Sequence, residues 1–85
     1  MSNDDHDDPY QAIPCADYSH YELWIMRGRR LQLAWWDEHG QEYIGLLQPL
    51  DLLTRDRQEF LIGRLAGQNI PLQIRLDRII RCKPE

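Results

Sequence analysis

The spacing of apolar residues changes period at Gly28, and that change limits the fold more than any other feature of the chain. Before it, Tyr18, Tyr21, Trp24 and Ile25 recur at helical intervals, with Cys15, Ser19, Glu22 and Met26 on the opposite side. Pro14 and Asp17 stand where a helix N-terminus favours them and Gly28 stands at the stop, so the spacing predicts a helix over about residues 15–27. The aromatic side should pack on the body and leave the other side to water or a partner.

From Arg30 onward the period is two. Leu31, Leu33 and Trp35 alternate with Gln32 and Ala34, and Asp37 to Gly40 supplies a hairpin turn. A second strand is expected over residues 41–48, with Gly45 marking a bend or bulge where sheet curvature begins. Pro49 should end it, leaving Leu50 to Gln58 as a charged loop with Arg55, Asp56 and Arg57 at its tip. Glu59 to Leu65 reads as a third strand, Ala66 to Asn69 as a turn and Ile70 to Leu76 as a fourth strand with Pro71 at its start or on an edge; Ile79 to Cys82 is a short fifth. One helix followed by five antiparallel strands implies an α+β, mainly β domain: an Sm-like, strongly bent five-stranded sheet or small barrel with an N-terminal helix over one open side. An OB-type barrel is less favoured, because its helix normally falls between strands.

Eighty-five residues suffice for one small core, since so short a chain buries only roughly 60 to 65 % of its unfolded surface. Residues 1–9 carry nothing large enough to anchor them and should form a disordered acidic tail; order is expected from Tyr10, giving a single domain over residues 10–85. Charge is divided along the same line. Residues 1–26 hold six acids (Asp4, Asp5, Asp7, Asp8, Asp17, Glu22) and no Lys or Arg, whereas the remaining 59 hold eight acids and ten bases. An acidic arm on a mildly basic body suits a basic partner and opposes nucleic acid.

Catalysis finds little support in the residues. No nucleophile, base and orienting group are brought together, so no enzyme is expected. His6, His20 and His39 lack metal-ligand spacing with one another or with Cys15 and Cys82, so neither metal nor cofactor is implied. The two cysteines, 67 positions apart, read as reduced thiols. No run approaches the ~20 apolar residues of a membrane span, and the acidic start is unlike a secretion signal, so the expected compartment is the cytoplasm. Of Trp35 and Trp36, adjacent on one strand, one should point outward.

Taken together, Tyr10-Gln11-Ala12-Ile13-Pro14-Cys15, Asp17-Tyr18, Glu22-Leu23, Asp51-Leu52, Glu59-Phe60-Leu61 and Leu72 to Ile79 with its Arg75-Leu76-Asp77-Arg78-Ile79 core resemble the Rof (YaeO) proteins over about residues 10–82. No single piece is a strong motif; their order and spacing carry the likeness. The resemblance implies an Sm-like fold and an inhibitor of the transcription termination factor Rho, bound near Rho's primary RNA-binding sites so that RNA loading is blocked. It also implies a contact surface made by the N-terminal helix and the loop before the third strand: Asp17, Ser19 and Glu22, with Arg55, Asp56 and Arg57. The chain departs from the family at Ala16 and Ser19, where relatives can carry another acid, and at Asp56-Arg57, where a Lys-Asn pair can occur; the tail acids are expected to compensate. The free protein is expected to be monomeric.

Two rival functions remain open on the residues. Direct RNA binding is suggested by Arg27, Arg29 and Arg30 with Trp35 and Trp36 nearby, and opposed by a pI near 5.2. An acidic adaptor for some other basic protein differs from the implied role only in its partner.

Overall fold

The structure, a computed structural model, describes residues 15–85, with side chains from residue 17 onward. The expected tail over residues 1–9, the onset of order at Tyr10 and the Tyr10 to Pro14 part of the resemblance lie outside the described residues.

Helix α1 spans Cys15–Met26. Its end is set by backbone chemistry at Gly28: with φ at +63° this residue lets its N–H reach the Ile25 carbonyl (3.1 Å) while the Arg29 N–H reaches that of Trp24 (2.9 Å). That pair of bonds is a Schellman stop, which satisfies carbonyls the helix leaves open. Tyr21 is buried, and Tyr18, Trp24 and Ile25 pack against the core, while Ser19, Glu22 and Met26 are exposed.

Five strands follow: β1 (Leu31–Trp36), β2 (Glu42–Arg55), β3 (Gln58–Leu65), β4 (Leu72–Arg75) and β5 (Ile79–Pro84), with a short 3₁₀ turn at Leu76–Arg78. They form one antiparallel sheet in the order β4-β3-β2-β1-β5. The sheet is open, with β4 and β5 as its two edges. The molecule is therefore a small α+β domain, mostly β. Its core joins Leu31, Leu33 and Trp35 of β1, Leu47 of β2, Leu61 of β3, Ile74 of β4, Leu76 and the helical Tyr21.

Pro49 does not end the second strand. Pairing with β1 stops at Leu31↔Leu47, whereas pairing with β3 continues through Pro49↔Gly63 to Arg55↔Gln58. No β1 residue is left to need the missing proline N–H, so the strand runs on with a neighbour on one side. The expected charged loop over Leu50 to Gln58 is thus strand plus a two-residue turn. A register shift between Pro49 and Asp51 leaves Leu50 and Asp51 both exposed and returns Leu52 to the core. This extra residue changes the inward positions of β2 from odd to even numbers, which keeps Asp51 out of the core.

Gly45 is not a bulge either, because the β1–β2 register is continuous across its pairing with Leu33. Its missing side chain makes room: a Cβ there would lie 2.9 Å from a Leu65 methyl and 3.8 Å from the Trp35 ring. The fourth strand is shorter than the alternation predicts, beginning after Pro71 and giving way at Leu76 to the 3₁₀ turn. Bonding within that turn is local, so alternation of apolar residues survives where the ladder does not.

Candidate protein-partner interface

Helix α1 distributes the expected contact residues over two sides. Ser19, Glu22 and Met26 follow one another at intervals of three and four and make a single stripe. Leu23 lies at its margin, and Met26, 82 % exposed, gives it a bare apolar end beside Glu22. Asp17 is exposed but stands elsewhere. Five residues from Glu22, it sits about 140° around the axis, and with Tyr21 it lines a cleft against Arg81 and Cys82 of β5. The structure thus brings Ser19 and Glu22 together and separates Asp17 from them.

The second group is the β2–β3 hairpin. Asp56 and Arg57 form its turn with φ of +52° and +64°, the left-handed pair that matches strand twist in two-residue hairpins. Both are exposed. Arg55 belongs to β2, where its Nη2 donates to Gln73 Oε1 (2.9 Å) and its guanidinium lies 5.4 Å from the Phe60 ring centroid. It braces the hairpin against β4, and the turn residues alone form the tip.

The helix end reaches β2 at Gln48, whose Nε2 donates to the Gly28 carbonyl (3.4 Å). From Gln48 to Asp56 the chain runs for roughly 26 Å of strand by extended geometry. A partner that engages both the helix stripe and the hairpin tip must cover a surface of that order.

The basic cluster is partly committed to the fold. Arg29 Nη2 donates to the Glu85 carbonyl (2.8 Å), Arg30 pairs with the Glu85 carboxylate (2.8 Å), and the Glu85 N–H donates to the Arg30 carbonyl (2.9 Å). These contacts tie the end of β5 to the start of β1. Arg27 follows Met26 at the end of α1, where its N–H closes the last helical bond to the Leu23 carbonyl (3.0 Å).

Cys82 is a free thiol, and burial pushes its pKa up to about 11 against a smaller opposing effect of a hydrogen bond with Tyr21. Cys15's side chain lies outside the described residues. His20 and His39 are exposed. Among the described residues, no three His, Cys, Asp or Glu side chains are placed to hold a metal ion, and no helix is long and apolar enough to cross a membrane.

Sequence reasoning missed the opposite end of the sheet. Trp35 and Tyr43, directly paired across β1 and β2, stack with centroids 5.8 Å apart and an interplanar angle of 27°. Trp35 is buried and Trp36 is the outward partner, 47 % exposed. At the hairpin between them the Asp37 Oδ1 accepts from the backbone N–H groups of His39 (2.8 Å) and Gln41 (2.9 Å). The Gln41 bond is the main reason that carboxyl titrates below its usual range, and the negative charge of Asp37 in turn raises the Tyr43 phenol. The alternation that marks β1 and β2 held the signal, since a two-residue offset from the turn puts positions 35 and 43 opposite each other.

No protein-family model and no curated protein sequence matches the chain. Among solved structures, it is similar to proteasome accessory factor B/C (PafBC) of Arthrobacter aurescens, with a TM-score of 0.74 and 19 % identity over 91 % of this chain. The chain spans 12 % of that protein's length. At that identity the likeness is one of fold.

Proposed function

We propose that this protein is an inhibitor of Rho-dependent transcription termination of the Rof (YaeO) type, a cytoplasmic Sm-like domain that binds Rho near its primary RNA sites and blocks RNA loading. The reading rests on the resemblance over residues 10–82, and the observation that carries it furthest is the exposed Ser19–Glu22–Met26 stripe on α1. Rho's RNA sites must hold a polyanion, so an acidic helix side backed by an apolar end suits a competitor for them. One helix followed by five antiparallel strands supports the Sm-like form of the fold, in which α1 covers one open side of a bent sheet. The mechanism needs no catalytic group. Steric cover and like-charge repulsion of RNA are enough.

Fluorescence anisotropy of a labelled C-rich oligonucleotide tests it, with the protein titrated in the presence and absence of Rho. A fall in anisotropy only with Rho present is the expected result. A rise without Rho would replace the proposal by direct RNA binding, and no change in either arm would leave an acidic adaptor for another basic protein.

A further inference from the structure

The sheet's two edges are β4 and β5, and α1 lines a cleft against β5. At the other lies a groove of about 510 Å³, within the range of ligand sites and lined by no residue of α1. Its lining includes the apolar Leu65, Leu72 and Ile74, and Tyr43, which shares a face with Trp35, together with Asp37 and Glu38.

All four residues of β4, inward and outward alike, line this groove. It therefore follows the strand's edge, where, among the described residues, β4 is paired with β3 alone and its second side of backbone groups has no strand. An open edge beside a groove is the setting in which an extended peptide adds to a sheet, with main-chain bonds supplying affinity and alternate side chains supplying specificity.

Charge selects among peptides. Arg75 also lines the groove, but its guanidinium is matched by Asp77 in a two-point contact (3.0 and 2.6 Å). With that pair cancelled, the lining holds the carboxylates of Asp37 and Glu38 against the single guanidinium of Arg78. Aromatic faces next to carboxylates favour a cation, through the ring quadrupole as well as through charge. Such a lining disfavours phosphate.

We infer that the gap between the β4 edge and the Trp35–Tyr43 pair is a docking groove for an extended basic peptide, one arginine lying against Tyr43 and the Asp37–Glu38 carboxylates and a neighbouring apolar side chain entering above Leu65 and Leu72. This site is separate from the α1 stripe and stands or falls independently of the Rho reading.

The probe is a fluorescein-labelled hexapeptide alternating arginine and valine, with a glutamate–valine hexapeptide as its counterpart, each titrated with the full chain. The arginine peptide should bind at least about tenfold more tightly and perturb tryptophan emission. Tyr43→Ala and Glu38→Lys should each weaken it about threefold or more, as loss of one exposed cation–aromatic or charge contact predicts, with the circular dichroism spectrum retained. Equal binding of the two peptides would overturn the inference, as would indifference to both substitutions. So would a tryptophan response to adenosine monophosphate in place of the peptide, or occupation of the groove by a second copy of the chain, seen as self-association in sedimentation velocity that Tyr43→Ala abolishes.

Discussion

Arg75 grips Asp77 two residues along the chain, Nε to Oδ1 at 3.0 Å and Nη2 to Oδ2 at 2.6 Å, with side chains only 10 % and 8 % exposed. The pair sits where β4 turns into the 3₁₀ segment that leads to β5, so it fixes the corner between the sheet's last two strands. Removing one member leaves the other charged and largely out of water. Asp77→Ala should therefore destabilise the fold by about 3 kcal/mol, while a double replacement by apolar residues of similar volume should recover most of the loss. Urea denaturation of the two variants decides between this account and one in which the pair is only decorative.

Two glycines in the sheet should respond differently to the same methyl group. At Gly63 an added Cβ would meet the Gln48 carbonyl oxygen at 2.7 Å and the Leu47 side chain at 2.8 Å, and the backbone atom has nowhere to go. At Gly45 the tightest neighbour is the mobile end of Leu65. Gly63→Ala should cost about 3 kcal/mol or fail to fold, and Gly45→Ala about 1 kcal/mol. Thermal melts read the ordering directly.

Arg57 holds a left-handed conformation that the Cβ of an L-residue resists, at φ +64°. Replacing it with glycine should stabilise the protein by about 1 kcal/mol. If the hairpin tip is part of the Rho-binding surface, the same variant should inhibit Rho less well although it is more stable, which separates a contact role from a folding one.

If the protein acts as proposed, Glu22→Arg should abolish its displacement of RNA from Rho, because it reverses the one charge on the exposed Ser19–Met26 stripe while touching no core residue. Asp17→Ala should have a smaller effect, given its place beside β5. Wild-type displacement by a well-folded Glu22→Arg protein would remove the stripe from the interface.

Cys82 predicts a pH dependence. Its thiol is raised in the folded state, to about 11 from a reference near 9.0, so the unfolded chain loses that proton first. The contribution to stability is complete below the unfolded value and declines as pH rises through the window from about 9 to about 11. Cys82→Ala should flatten that part of the stability profile, measured by denaturation at a series of pH values. In the same window the wild-type thiol should react with iodoacetamide more slowly than an exposed cysteine.

The helix, its packed side and the first hairpin were legible in the order of residues. Tyr18, Tyr21, Trp24 and Ile25 obey a 3.6-residue period, Leu31, Leu33 and Trp35 a two-residue one, and Gly28 supplies a conformation that other residues adopt only at a cost. These are local properties, and local pattern suffices to predict them. The course of β2 beyond Pro49 was not legible. A proline and a string of polar residues signal a loop unless a neighbouring strand supplies partners on one side only, and the bulge at Leu50 erases the alternation that would have revealed the strand. Which tryptophan faces out was likewise decided by pairing, since Trp35 is held over Gly45 and against Tyr43. Sequence by itself determined the composition of α1's exposed side, because helical geometry is the same in any context. Only the tertiary structure decided that Asp17 parts from Glu22, that Arg55 braces β4 and that the sheet's far end is an aromatic groove, because each depends on which distant strand arrives beside it.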